Sequence, residues 1–338
     1  MKVEEKGLAK RDSLKKIMMK TEVSIMFIIG ILFIFASLGT QNFLTSYNLT
    51  NILKQCAIIG VISIAQTCII ITGGIDISCG AIVGFSTLMV AMGQARWGMG
   101  IVPSIFVAVV TGVIWGAVNA ALIHEFKVPA FVATLGTQTI IRGLIKVISN
   151  GGTVSGIAPQ FADFASSNIL FIPKLAFVWG TISVLVFLLL RYTIFGRNLF
   201  VLGSGVEVAR LNGISIRKTT YAAYAFAGLL YGIAGVMLAA RINSAIPTAG
   251  EAYETNAIAA SVLGGASLAG GLGSIAGTAL GTVLIILIDN VGTQFGIHSF
   301  VMQVITGCVI VVAIVADQLK KHPIGLMNHL KRSKKTTT

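Results

Sequence analysis

Residues 72–84 read TGGIDISCGAIVG, with an apolar run on either side. Two adjacent glycines and an aspartate, Asp76, interrupt a stretch that is otherwise long enough and greasy enough to be one helix. The chain as a whole has 338 residues, 55% hydrophobic and 11% charged. A soluble domain carries about 25% charged residues. The apolar residues fall into ten blocks, near 23–38, 54–72, 79–94, 101–123, 129–148, 174–190, 218–240, 254–268, 274–291 and 299–316. Each approaches the ~20 residues that cross ~30 Å of hydrocarbon. The expected fold is an all-α polytopic membrane protein of about ten transmembrane helices. The third and eighth blocks are short and glycine-interrupted. Broken or re-entrant helices at membrane depth occur where protein or a wet cavity satisfies the freed backbone.

Charge sets the expected orientation. Lys2, Lys6, Lys10, Arg11, Lys15, Lys16 and Lys20 crowd the start, Arg191, Arg197, Arg210, Arg217 and Lys218 an internal loop, and Lys320, Lys321, Lys331, Arg332, Lys334 and Lys335 the end. The segments 39–53, 149–173 and 292–298 contain no Lys or Arg. The positive-inside rule makes the three basic regions cytoplasmic. Six spans then separate the first from the second and four the second from the third, both even. The expected organisation is a basic cytoplasmic segment 1–22, a transmembrane domain 23–317 with a cytoplasmic loop near 191–217, and a basic cytoplasmic tail 318–338. The apolar run after the basic start lacks an obvious cleavage site, and the even count requires it to stay as the first helix.

The same distribution accounts for the net charge of +13 through topology and anionic lipid. Nucleic acid is not an expected partner, because the charges do not interleave with aromatics and no binding motif is present. Cys56, Cys68, Cys79 and Cys308 sit in or beside apolar blocks without ligand spacing, and His124, His298, His322 and His329 are scattered, so no metal site is expected. No G-x-x-x-x-G-K-[ST] and no G-x-S-x-G occurs, so neither a nucleotide motor nor a nucleophile is legible, and no catalytic residue or resident cofactor is expected. The sequon Asn48-Leu49-Thr50 is a pattern common by chance.

Among the 38 glycines, Gly273/Gly277/Gly281, Gly112/Gly116, Gly228/Gly232 and Gly80/Gly84 are spaced by four, which lets helix backbones approach closely. Residues 263–277, LGGASLAGGLGSIAG, repeat the opening pattern: an apolar run, Gly264-Gly265, small polar residues, and an apolar run with spaced glycines. The parallel suggests a weak internal repeat. Gly73 and Gly74 let the chain break its helix. Asp76 is tolerable there only in polar surroundings, since a charge in lipid costs at least ~2.5–3.5 kcal/mol. It either accepts hydrogen bonds from freed amides and caps the turn, or lines a pathway with Ser78; capping is favoured. Arg142, in TQTIIRGLIKV, snorkels, lines the pathway or pairs with an acid. Asp289 and Asn290 mark the interface.

Four stretches carry a resemblance, in this order: ITGGIDISCGAIVG, then VPAFVATLGTQTIIRG with NGGTVSG, then FGRNLFVLGSGVEVARLNGI, then IPTAGEAYETNAIAASVLGGASLAGGLGSIAGT. From about residue 25 to 317 the chain resembles the ribose-type permeases of bacterial sugar ATP-binding-cassette importers. The resemblance implies a type II importer fold like that of the cobalamin importer. It implies two permease subunits, as a homodimer or as two related chains, in the plasma (inner) membrane. It implies a cytoplasmic ATPase that uses ATP and Mg, and a periplasmic or lipid-anchored binding protein that delivers the sugar. It gives the amphipathic segment 205–215 the role of a coupling loop against the ATPase, resting on Glu207, Ala209, Arg210 and Gly213. Permeases for autoinducer-2, nucleosides or branched-chain amino acids share these elements. An ion-coupled secondary transporter predicts more paired intramembrane carboxylates than Asp76 alone.

Overall fold

The computed structural model describes residues 21–321. Most of the basic segment 1–22 and the tail beyond residue 321 lie outside the described residues. The helices are α1 (Thr21–Gly39), α2 (Ser46–Ile71), α3 (Cys79–Ala95), α4 (Ile101–His124), α5 (Ala130–Ser149), α6 (Pro159–Ser166), α7 (Lys174–Tyr192), α8 (Ile194–Ser204), α9 (Val206–Leu211), α10 (Ile216–Ile242), α11 (Tyr253–Leu263), α12 (Ile275–Gln294) and α13 (Ser299–Lys321). Every one of the ten apolar blocks becomes a helix. Seven of the described helices are long and apolar enough to cross a membrane: α1, α2, α4, α5, α7, α10 and α12.

Three boundaries differ from the hydropathy reading by five residues or more, one of them the end of α13, which runs to Lys321 rather than 316. The helix α2 begins at Ser46, eight residues before its apolar block, because Thr45 caps it through a side-chain bond from the Asn48 amide. The eighth block overshoots: α11 stops at Leu263, and residues 264–273 form a loop in which Gly265, Gly270 and Gly271 take φ of 92°, 85° and 75°. Apolar composition marks membrane depth, whereas the positive φ of those glycines ends the helix.

The bundle has a basal end, where α1 begins, and an apical end. At the basal end Glu22 accepts a bond from Ser274 just before α12, and Arg217 of α10 meets Glu125 after α4 at 2.7 Å. At the apical end two short antiparallel pairs form. One joins β1 (Val154–Ser155) to β4 (Ser244–Ala245), and the other joins β2 (Asn168–Ile169) to β3 (Ile172–Pro173). Gln94, at the close of α3, accepts from the Ala158 amide at 2.8 Å and donates to Ser104 at 2.9 Å, tying the apical loops to α3 and α4.

Helices α2 and α3 run through the centre. The α2 span is 89% buried, against 11% for α1 and 17% for α7. A helix apolar all round is a core helix. The peripheral helices instead present large residues outward, among them Phe27, Phe35, Phe106, Ile140 and Leu185, as a lipid-facing surface requires. The spaced glycines make the closest packing. A Cβ at Gly112 would strike the Gly228 carbonyl, and one at Gly116 the Tyr224 carbonyl, so α4 and α10 touch backbone to backbone. Gly277 and Gly281 hold α12 against Gly264, just past the end of α11, and Ala260 of α11 in the same way. Across a lipid-embedded bundle such contact replaces the missing hydrophobic drive.

Candidate functional site

The break after α2 is made at Thr72, whose hydroxyl and amide both return to the Ile69 carbonyl, and at Gly73, with φ of 82°. Gly74 has no room for a side chain: a Cβ would lie 2.7 Å from the Tyr224 hydroxyl and 3.2 Å from Ile69 Cγ2. Asp76 is fully buried. Its Oδ1 accepts from the Ser78 amide at 2.8 Å and the Ser78 hydroxyl at 2.6 Å, closing an Asx-type turn at the start of α3. Asn119 Nδ2 of α4 donates to Ser78 Oγ at 2.8 Å, and Thr137 Oγ1 of α5 donates to Asn119 Oδ1 at 2.7 Å. Thr134 takes the Ile77 amide at 3.1 Å. Gln66 of α2 completes the ring in the orientation where its nitrogen donates to the Tyr231 hydroxyl and the Asp76 carbonyl and its oxygen accepts from the Asp76 amide. Four helices therefore clamp one non-helical turn. Asp76 Oδ2 and the Tyr224 hydroxyl make no hydrogen bond among the described residues.

Gly264 packs on Gly277 and Thr278 of α12. The meeting point between the two glycine-rich stretches is the next glycine pair: a Cβ at Gly270 would lie 3.0 Å from Gly73 Cα, and Gly271 N–H donates to the Ile71 carbonyl at 2.9 Å. Gly203 of α8 packs on the same carbonyl.

Arg142 occupies a second polar centre nearer the apical end. Its Nη1 donates to the Ala249 carbonyl at 2.6 Å, and Gln138, one turn earlier on α5, donates to Glu254 at 3.2 Å. The segment 249–254 lies against α3 because Gly80 and Gly84 leave space for it.

Glu207, Ala209, Arg210 and Gly213 stand at the basal end. Ala209 is buried, and Glu207 and Arg210 pair at 2.9 Å with their side chains 76% and 65% exposed, a pair that contributes little stability. Gly213, with φ of 68°, ends α9. Leu211 is 87% exposed, with Val206 and Val208 beside it.

At the apical end, Asn48 and Asn290 exchange two amide hydrogen bonds at 2.7 and 3.1 Å, joining α2 to α12. Around them lies a cavity of about 560 Å³ lined by Asn42, Asn51, Gln55, Asp289 and Gln294 among others. Asp289 accepts from Thr306 at 3.3 Å. Sequence reading placed Asp289 and Asn290 only as interface markers. Asn119, Thr137, Gln138 and Glu254 do not stand out in the sequence as site residues. Asn119 had a signal, as an amide inside the apolar run WGAVNAAL; the two threonine-rich turns of α5 had none, since their hydroxyls can bond their own helix.

Residues 48–314 match the family described as "Branched-chain amino acid transport system / permease component". The ribose import permease protein RbsC of Bacillus subtilis is 39% identical over 292 residues, 86% of this chain and 90% of that protein. The RbsC of Escherichia coli K12 is 33% identical over 300 residues, 87% of this chain and 93% of that protein. The xylose transport system permease protein XylH of Haemophilus influenzae is 29% identical over 363 residues, 89% of this chain and 97% of that protein. No solved structure matches. With its apolar helices, glycine seams and clamped helix break, the chain belongs to this permease family and is a multi-pass membrane transport component.

Proposed function

We propose that the chain is the membrane permease of an ATP-binding-cassette importer for a ribose-type monosaccharide. The observation that carries this reading is the 39% identity to a ribose import permease across 86% of the chain. The apical cavity supports it: amides and a carboxylate are the groups that bind hydroxyls, and about 560 Å³ falls within the range of small-molecule sites. An extracytoplasmic binding protein delivers the sugar to the apical end, a second permease subunit completes the pathway, and a cytoplasmic ATPase docks at the basal end. In proteoliposomes holding all partners, labelled D-ribose uptake should require ATP on the ATPase side. Uptake by this chain alone, driven by an ion gradient, would sink the proposal; leucine, purine nucleosides and autoinducer-2 as competitors separate the related solute classes.

This reading puts the basal end in the cytoplasm. With Cys308 replaced by serine, a cysteine at the exposed apical Thr153 should react with an impermeant maleimide on intact cells, while one at the exposed basal Ser204 should react only after lysis. The reverse pattern inverts the orientation.

The coupling surface is α9 with its flanking glycines. Because Leu211 and Glu207 face outward, Leu211→Asp and Glu207→Lys should leave the permease folded yet lower ATPase co-purification at least tenfold. Gly213→Val strains a left-handed position and should do the same through backbone displacement. Undiminished co-purification in all three variants removes this segment from the interface.

A further inference from the structure

The Arg142 centre contains two polar atoms that the fold leaves open. After Arg142 Nη1 has bonded Ala249 and Gln138 has bonded Glu254 Oε1, Arg142 Nη2 and Glu254 Oε2 are shielded from solvent and have no hydrogen-bond partner among the described residues. A buried donor and a buried acceptor without partners are costly, and rare in native proteins. The guanidinium and the carboxylate do not close into an ion pair; the described ion pairs are Arg210–Glu207 and Arg217–Glu125.

Glycines give the two groups their room. A Cβ at Gly80 would collide with Glu254 Oε2, and a Cβ at Gly84 would lie 3.2 Å from Arg142 Nη1. Gly80 and Gly84 stand four residues apart on α3, so the two openings they leave are about 6 Å apart along one stripe, the first facing the carboxylate and the second the guanidinium. Exposed Thr139, Glu251 and Thr255 belong to the same stretches of α5 and of residues 251–255, so the centre sits beside open surface. One cation is offset by two carboxylates, because Glu251 also acts on Arg142. That balance disfavours an anionic solute. An acceptor and a donor side by side, in a place without net positive charge, match two neighbouring hydroxyls.

We propose that Glu254, Arg142 and Gln138 form a polyol-binding station on the transport path, with Glu254 Oε2 accepting from one hydroxyl of a vicinal diol and Arg142 Nη2 donating to the other. Gln138 holds the Glu254 carboxylate in place. The station rests on the monosaccharide reading and adds to it the residues that touch the sugar inside the membrane.

The test uses the complete reconstituted transporter with D-ribose and its singly deoxygenated analogues. Glu254→Gln should leave assembly of the complex in place and lower D-ribose uptake at least tenfold. One deoxy analogue should lose at least tenfold against D-ribose in the wild type and less than twofold in the variant. Discrimination by the binding protein is common to both and cancels. Equal penalties in wild type and variant overturn the station while leaving the sugar reading intact. A wild type that takes up no monosaccharide overturns the reading and the station with it. If Glu254→Gln does not assemble, labelling decides: on a Cys308→Ser background, D-ribose should slow modification of Thr255→Cys at least threefold. No protection, or protection by leucine instead of ribose, overturns the assignment.

Discussion

A permease carrying Gly203→Val should accumulate as folded protein at least tenfold less than wild type, read by size-exclusion chromatography of a fluorescent fusion. Three backbone segments converge on this position without side chains between them. The Cβ of any other residue would fall on the Ile71 carbonyl, which accepts from Gly271 N–H at 2.9 Å. Gly270 closes the same contact, since its own Cβ would lie 2.6 Å from the Gly203 carbonyl. Overpacking costs about 1–3 kcal/mol, and losing the bond from the partly buried Gly271 amide about 0.5–1.5 kcal/mol more. Together these take a large share of a total stability of ~5–15 kcal/mol. Gly136 is the control: nothing lies within 4 Å of its Cβ position, so Gly136→Ala should accumulate normally. Wild-type accumulation of Gly203→Val would show that α8 does not rest on the break.

The second large effect is expected at Asp76, where the two substitutions separate its roles. Asp76→Ala removes the acceptor of the Ser78 amide and hydroxyl and leaves the N–H and the O–H buried without an acceptor, while Ser78 Oγ keeps the bond from Asn119. With bonds to a charged group contributing ~1.5–3 kcal/mol each, folded protein should fall at least tenfold. Asp76→Asn keeps Oδ1 as acceptor for both bonds, so accumulation should drop modestly, by about two- to fivefold, and uptake per assembled complex should stay within twofold of wild type. Normal assembly of Asp76→Asn with uptake per complex near zero would instead assign the carboxylate to the pathway.

The difference between those outcomes shows what the sequence could and could not convey. The ten helices were legible because lipid leaves a long, coarse imprint of apolar residues, and the break at 73–74 because adjacent glycines beside an acid have few other uses within hydrocarbon. Pairings across the chain were not legible. Asn48 and Asn290 read as boundary residues, yet they bond each other across 242 positions. Glu254 read as part of a motif, and only the fold sets it beside Arg142 and the glycines of α3. The repeat-like stretches did announce two breaks, but the contact runs through Gly270 and Gly271 rather than Gly264 and Gly265, since loop closure depends on φ values that composition does not encode.

The seam between α4 and α10 bears on how the chain is made. Gly116 and Gly228, which face each other there, are more than a hundred residues apart, so at about 5–20 residues per second the ribosome needs roughly 5–20 s to deliver the second after the first. For that interval the glycine groove of α4 has no α10 to fill it. Helix α4 is among the most apolar of the spans, which lets it wait alone, whereas the shorter α3 relies on neighbours synthesised later. Assembly is therefore vectorial in insertion and delayed in docking, and the seam closes only once the nascent chain has passed residue 232.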